Sequence, residues 1–337
     1  MERKALYQYL WDKVQQEEIT DTLAKLILDI SFAGKLLTQH IEESYNNPIS
    51  DKSDSINPNG EKQHSLDIKA HNIYVDVLKR SRVCQFLVSE ESENEIKFDC
   101  SSLNQQYTVY LDPLDGTSNV DCNAPIGSIF SIYNCIGKSD LKNQNLKGKS
   151  QIAAGYIIYS TTVMLVLTLG NGVYCFTYDK KLGEFILSHP KLRIPKDGNT
   201  YSINEGNYED FPMQIKGYLS FCKNTDNERG IPFQARYIGS MIADIHRILF
   251  KGGIFMYPST SKHSNGKLRL MYECNPMAMI IEQAGGLAVD GMRPILDTPS
   301  RDFHQKTPFI AGSYKMVKEV LLLYKNESIN NHWFYSC

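Results

Sequence analysis

The chain has 337 residues, 36 Lys and Arg against 38 Asp and Glu, and a formal net charge of −2. That length suits about two domains, and 42% hydrophobic residues supply a sizeable core and exclude global disorder. The near-neutral balance removes the electrostatic case for a nucleic-acid partner or an anionic membrane. No early apolar run reaches the length of a signal peptide or a membrane span. The eight cysteines include no C-x-x-C and read as reduced thiols of a cytoplasmic protein.

In chain order, Met1 to about Tyr45 reads as two helices, with Leu23, Leu26, Ile27 and Ile30 at helical spacing and Thr20-Asp21 as a start signal. From Asn46 to His64 the pattern collapses into a long polar loop rich in Asn, Ser, Pro and Gly. Helical spacing resumes over Ser65 to Arg82. Phe86 to Val88 is a short strand ending at Ser89-Glu90-Glu91, which offers both acids to a site at its end. A solvated acidic turn accounts for the same residues.

The next stretch, Leu111 to Asp121, reads LDPLDGTSNVD. The β-rich run Tyr107 to Leu111 predicts a buried strand that stops before Pro113, since the residue preceding a proline is pushed to an extended conformation and proline donates no N–H. Gly116, Thr117 and Ser118 then suit the start of a helix, where free backbone N–H groups can hold an anion. Asp112 and Asp115 beside such a cradle are what a divalent metal bridging protein and phosphate requires. A strand-to-turn junction with solvated acids fits the pair equally well.

Ile126 to Cys135 and Ala153 to Thr168 predict paired strands, followed by Val173 to Tyr178 and Gly183 to Leu187. Pro190 to Asn199 marks a domain junction, giving an N-terminal domain over 1–193 and a C-terminal domain over 194–337. Helices are expected within Pro212 to Cys222, over Gly239 to Phe250, over Tyr272 to Ala284 with a Gly285-Gly286 cap, and near Lys315 to Lys325. Lys267 and Arg269 share one face of an extended segment, fit for a phosphate or simply for solvent. The histidines lack metal-ligand spacing and read as surface or capped core positions. No G-x-S-x-G elbow or P-loop is present.

The pieces LDPLDGTSNVDCNAPIGSIFSIY, YSINEGNY, ARYIGSM and NGKLRLMYECNPMAMIIEQAGG, in that order, resemble class I fructose-1,6-bisphosphatase, of the sugar phosphatase and inositol monophosphatase superfamily. The resemblance runs from about Gly60 to about Ser313. It implies an α/β fold layered α-β-α-β-α, two mixed sheets between helical layers. It implies hydrolysis of the 1-phosphate of fructose 1,6-bisphosphate in gluconeogenesis, with two to three Mg²⁺ per subunit, Mn²⁺ or Zn²⁺ substituting. The chain would work as a cytoplasmic homo-oligomer, a tetramer built from dimers.

Carried over residue by residue, the metal ligands would be Glu90, Asp112, the Leu114 carbonyl, Asp115 and Glu273, joined by Glu61 when the polar loop closes as a mobile lid. Asp67 and Glu91 match the pair that activates water. Asp115, Gly116, Thr117 and Ser118 resemble the 1-phosphate cradle. Asn204, Tyr237, Tyr257 and Lys267 resemble ligands of the sugar and its 6-phosphate, Arg236 one supplied by a neighbouring subunit, and Arg269 a group near the reacting phosphate. Asp67, Glu90, Glu91, Asp112, Asp115 and Glu273 in one cleft would be tenable only with cations among them. A sedoheptulose bisphosphatase, an inositol-monophosphatase-like enzyme and an inactive regulatory homologue share the scaffold.

Many family members are inhibited by AMP through a loop close to T-G-E-L-T between the first two helices. Here Thr20-Asp21-Thr22-Leu23-Ala24 stands in its place, and Gln106 and Asn134 occupy positions where the family often has Lys and Arg. The departure implies little AMP inhibition.

Overall fold

The computed structural model describes residues 3–46, 64–100, 106–135, 145–225, 227 and 229–326. The polar loop is expected over 46–64; its residues 47–63, Glu61 among them, lie outside the described set. Two helices open the chain, Leu6–Gln15 (α1) and Asp21–Asn46 (α2). Ser65–Ser81 (α3) follows, with Leu66, Ala70, Tyr74 and Leu78 buried at four-residue spacing on one face. The start of α3 is a capping box: Asp67 accepts from the His64 N–H at 2.7 Å while the His64 ring accepts from Leu66 N–H. Asp67 is thus fixed in place by the helix it begins.

Eight strands form the larger sheet: Cys84–Ser89 (β1), Ile96–Lys97 (β2), Tyr107–Asp115 (β3), Ile126–Asn134 (β4), Gln151–Tyr159 (β5), Met164–Thr168 (β6), Val173–Asp179 (β7) and Glu184–Leu192 (β8). Their order is β2-β1-β3-β4-β5-β6-β7-β8, with β1 and β3 parallel and the other neighbours antiparallel. Both faces of its centre are covered. Val109 and Leu111 of β3 face one core with α1, α2 and α3, while Tyr110 faces a second. That explains why these strands read as continuous apolar runs rather than an alternation.

The second core is shared with Met241–Lys251 (α5) and Asn275–Gln283 (α6). Beyond them lies a five-stranded sheet of Thr200–Ser202 (β9), Gln234–Ala235 (β10), Ile254–Tyr257 (β11), Leu287–Val289 (β13) and Phe309–Gly312 (β15), ordered β10-β9-β11-β15-β13. Met213–Lys223 (α4) and Tyr314–Asn326 (α7) cover its outer face around Ile215, Leu219, Val317 and Val320. Leu268–Arg269 (β12) and Lys306–Thr307 (β14) pair separately. The layers therefore run α-β-α-β-α, as the sequence implies. The end of α6 is a Schellman turn: Gly286 N–H donates to Ile281 O at 2.8 Å and Gly285 N–H to Glu282 O at 2.9 Å.

Three expectations change. The strand expected to stop at Leu111 continues to Asp115, because Pro113 sits in a bulge where no ladder N–H is needed. Ala153 to Thr168 is a hairpin of two strands, β5 and β6, not one. The segment after Gly116 is a six-residue 3₁₀ turn, Thr117–Cys122, not an α-helix.

Candidate active site

The β3 bulge is what makes D-P-x-D a site. Asp112 lies opposite Ile129 and Asp115 opposite Gly127, so three steps on β3 match two on β4. In a regular strand, residues three apart face opposite sides. The extra residue turns Leu114 into the first core and brings Asp115 to the same side as Asp112. Asp112 Oδ1 accepts from Leu114 N–H at 3.0 Å, and Ser128 Oγ donates to Pro113 O at 2.8 Å, which fixes the kink.

Asp115 then meets the N-terminus of α5. Its Oδ2 accepts from Ser240 Oγ at 2.8 Å and from Ile242 N–H at 2.9 Å. Ser240 is also the N-cap of α5. Gly116 is required on two counts: its φ is +85°, and a Cβ there would fall 2.6 Å from Ser240 Cβ. Thr117 Oγ1 donates to Asp67 Oδ1 at 2.8 Å and lies 3.2 Å from Leu114 O, tying the turn to α3. Ser118 is exposed at the start of the same turn.

Glu273 comes from a π turn, Leu270–Cys274, that leads into α6. It is buried, and its Oε2 accepts from Arg269 N–H at 2.6 Å. One ligand atom from each of Asp112, Asp115 and Glu273 lies within 4.8 Å of the others. Burial raises the carboxyl pKa of all three, and for Asp112 and Glu273 the charge of Glu90 adds to it. An all-oxygen, like-charged set of this kind fits a hard divalent cation.

Glu90 and Glu91 follow β1. Glu90 is buried, its N–H donates to Leu111 O at 3.0 Å, and Arg269 Nη2 stands 3.1 Å from its Oε1. Glu91 is half-buried, close enough to raise the Asp112 pKa. Burial pushes Asp67 up to about 6, against hydrogen bonds from His64 and Thr117 that pull it down.

On the sugar side, Tyr237 is 40% exposed as a residue, while its hydroxyl is pushed up to about 12 by burial, then by Tyr257, Asp244 and Asp115. Tyr257 and Lys267 are half-buried. Asn204 is exposed and accepts from Gly206 N–H at 3.1 Å. Arg236 is exposed and folds onto its own strand, donating to Ala235 O at 2.8 Å and Gln234 Oε1 at 3.0 Å.

Sequence reading missed Ser240, His71 and His304. His71 Nδ1 lies 2.9 Å from Ser89 Oγ, and burial lowers its pKa. His304 Nδ1 lies 2.9 Å from Tyr272 Oη, and its Nε2 3.4 Å from Glu93 O. Only the Gly-Ser start of α5 carried a local signal for any of them.

Two family models match the chain: fructose-1,6-bisphosphatase N-terminal domain over 5–190 and fructose-1,6-bisphosphatase C-terminal domain over 194–325. A class 1 fructose-1,6-bisphosphatase of Cytophaga hutchinsonii is 46% identical over 302 residues, covering 88% of this chain and 87% of that protein. Crystal structures of Leishmania major fructose-1,6-bisphosphatase are 35% identical and cover 96% of this chain and 100% of theirs, with TM-scores of 0.89 for the holo form and 0.85 for the apo form. The chain belongs to the fructose-1,6-bisphosphatase family.

Proposed function

We propose that the protein hydrolyses the 1-phosphate of fructose 1,6-bisphosphate to fructose 6-phosphate and phosphate, with Mg²⁺ held by Glu90, Asp112, the Leu114 carbonyl, Asp115 and Glu273. The observation that carries this reading is the trio of buried Asp112 and Glu273 with half-buried Asp115, their ligand atoms within 4.8 Å, set beside the Gly116–Ser118 turn. Bound Mg²⁺ would supply positive charge for the phosphoryl oxygens and the leaving oxygen. The N–H groups of Gly116, Thr117 and Ser118 and the Ser118 hydroxyl orient the 1-phosphate. Asp67, paired with Glu91, takes the proton of the attacking water as its oxygen bonds to phosphorus; the bond to the sugar oxygen breaks, and that oxygen leaves as a hydroxyl with a proton drawn from solvent. Thr117, hydrogen-bonded to Asp67, keeps base and phosphate in register.

Residues 1–193 supply most of the acidic ligands and 194–337 the sugar side, where Tyr237, Tyr257, Asn204 and Lys267 receive the sugar and its 6-phosphate. Arg236, exposed on its strand, suits a contact to the neighbouring subunit's substrate in a homo-oligomer. Phosphate release from fructose 1,6-bisphosphate, sedoheptulose 1,7-bisphosphate and inositol 1-phosphate, each with Mg²⁺ and with EDTA, tests the reading. Metal-independent release, or preference for another substrate, would overturn it.

The α1–α2 junction supports weak AMP control. Tyr107 Oη, one remnant of a nucleotide site, is already engaged by Thr20 Oγ1 at 2.7 Å and Thr22 Oγ1 at 3.1 Å. Asp21 adds an exposed negative charge in the first turn of α2. A dianionic phosphate would meet that charge and displace those bonds. Inhibition by micromolar AMP would contradict this.

A further inference from the structure

The turn carrying Glu90 and Glu91 is gripped from outside by two histidines that no role in the chemistry claims. His71, one turn beyond Asp67 on α3, reaches Ser89 Oγ at 2.9 Å and Ser92 Oγ at 3.5 Å. Ser89 Oγ in turn accepts from Glu91 N–H at 3.4 Å. His304 approaches from the opposite half of the chain and reaches Glu93 O at 3.4 Å and Tyr272 Oη at 2.9 Å. Tyr272 is fully buried beside Glu273, and its phenol feels the charge of Glu90 more than that of any other residue.

The loop bearing His304 is itself fixed. Leu268 and Arg269 pair with Thr307 and Lys306, and Leu270 N–H donates to Gln305 O at 2.7 Å. His304 therefore sits on the same rigid piece as Glu273 and touches the turn that holds Glu90. The hydrogen bonds also set its tautomer. Glu93 O can only accept, so Nε2 carries the proton, and in a neutral ring Nδ1 then accepts from the Tyr272 hydroxyl.

We infer that His304 is a positioning residue: through Glu93 and Tyr272 it sets the distance between the Glu90 turn and the Glu273 turn, and so tunes the affinity of the acidic centre for a divalent cation. The inference rests on the functional reading above. Partners that orient metal ligands from behind typically shift affinity or activity 10–100-fold when lost.

The test compares the parent with His304→Phe and His304→Gln in three measurements: calorimetric binding of Mn²⁺ alone, unfolding temperature, and kcat and KM with Mg²⁺. His304→Phe is expected to weaken Mn²⁺ binding about tenfold or more and to raise the Mg²⁺ needed for half-maximal turnover in parallel. KM for the sugar bisphosphate is expected to change less than about twofold, since a shift confined to the metal leaves uniform substrate binding intact. His304→Gln, whose amide can both donate and accept, is expected to recover most of the loss. Mn²⁺ affinity unchanged in His304→Phe, or lost equally in both variants, would overturn the inference. If His304→Phe does not fold, Tyr272→Phe removes the same link from its other end, and an unchanged affinity there overturns it as well. A parent that binds Mn²⁺ and releases phosphate separates these failures from failure of the functional reading, which would show as a parent doing neither and would remove this inference with it.

Discussion

Arg269 Nη2 lies 3.1 Å from Glu90 Oε1, with the two side chains only 5% and 11% exposed. Both charges have left water, so each depends on the other. Removing one member of a buried pair typically costs about 3–5 kcal/mol, because the remaining ion is stranded. Arg269→Met strands Glu90 beside Asp112 and Glu273. Without metal it should lose stability on that order, and saturating Mg²⁺ should restore part of it. Glu90→Gln should cost less, since Arg269 keeps Glu273 nearby. Urea unfolding of both variants with and without Mg²⁺ checks the ranking; equal losses in EDTA would contradict it.

Glu90→Gln should nevertheless be the more damaging of the two for catalysis. If Glu90 is the metal ligand proposed above, no other group replaces its carboxylate, so phosphate release should fall by more than about a hundredfold, beyond the loss typical of an outer-sphere partner. Near-normal turnover of Glu90→Gln at saturating Mg²⁺ would remove Glu90 from the ligand set.

Gly116→Ala combines a forced left-handed backbone with a Cβ 2.6 Å from Ser240 Cβ. The backbone alone costs about 1–2 kcal/mol, and the overlap must push Ser240 away from Asp115. Gly183→Ala is the control, with φ +66° and nothing within 4 Å of its new Cβ. Gly183→Ala should lose only the backbone part and keep its activity. Gly116→Ala should lose more stability and most of its kcat/KM. Equal effects in thermal unfolding would argue against the close approach.

If Arg236 makes the proposed contact to the remote phosphate, Arg236→Ala should raise KM several-fold with a smaller fall in kcat, because such a contact binds ground state and transition state alike. Full activity in a species shown by light scattering to be monomeric would dismiss the intersubunit role.

His246 gives stability a pH dependence of known sign. Its ring is packed against Phe250, its Nδ1 lies 2.8 Å from Tyr156 Oη, and burial, then the charge of His189, lowers its pKa to about 4. Between pH 6.5 and 4 the unfolded chain binds the proton and the folded chain does not, so this contribution is complete above that window and lost as pH falls through it. At pH 5 the loss is on the order of 2 kcal/mol. His246→Gln should flatten the fall in unfolding free energy between pH 7.5 and 5 by that amount; parallel curves would refute it.

What the sequence revealed depended on distance along the chain. The apolar runs of β3 to β7 were legible because both faces of that sheet are buried. Asp112 and Pro113 ended the β3 pattern early, since a bulge has no hydrophobic signature. Ser160-Thr161-Thr162 hid the β5–β6 corner, having neither Gly nor Pro to mark it. The acids were readable at the strand ends that carry them. The groups that hold them were not: Ser240 is 125 residues from Asp115, and His304 is 211 residues from Glu93. Only folding makes such pairs neighbours.

The hydrogen bonds from Ser240 and Ile242 to Asp115 have a consequence for how such a chain can change. A recombination event, or a chimera joined between 190 and 194, would keep every residue of each parent and still exchange one side of these contacts for another's. Gly116 and Ser240, packed so that a Cβ at 116 would overlap the serine, would then have to match by ancestry. Crossovers at this seam should succeed between close relatives and fail between distant ones. Exchanging 115–118 together with 239–242 should rescue the failures, which makes those two short stretches, not the two halves, the inherited unit of the site.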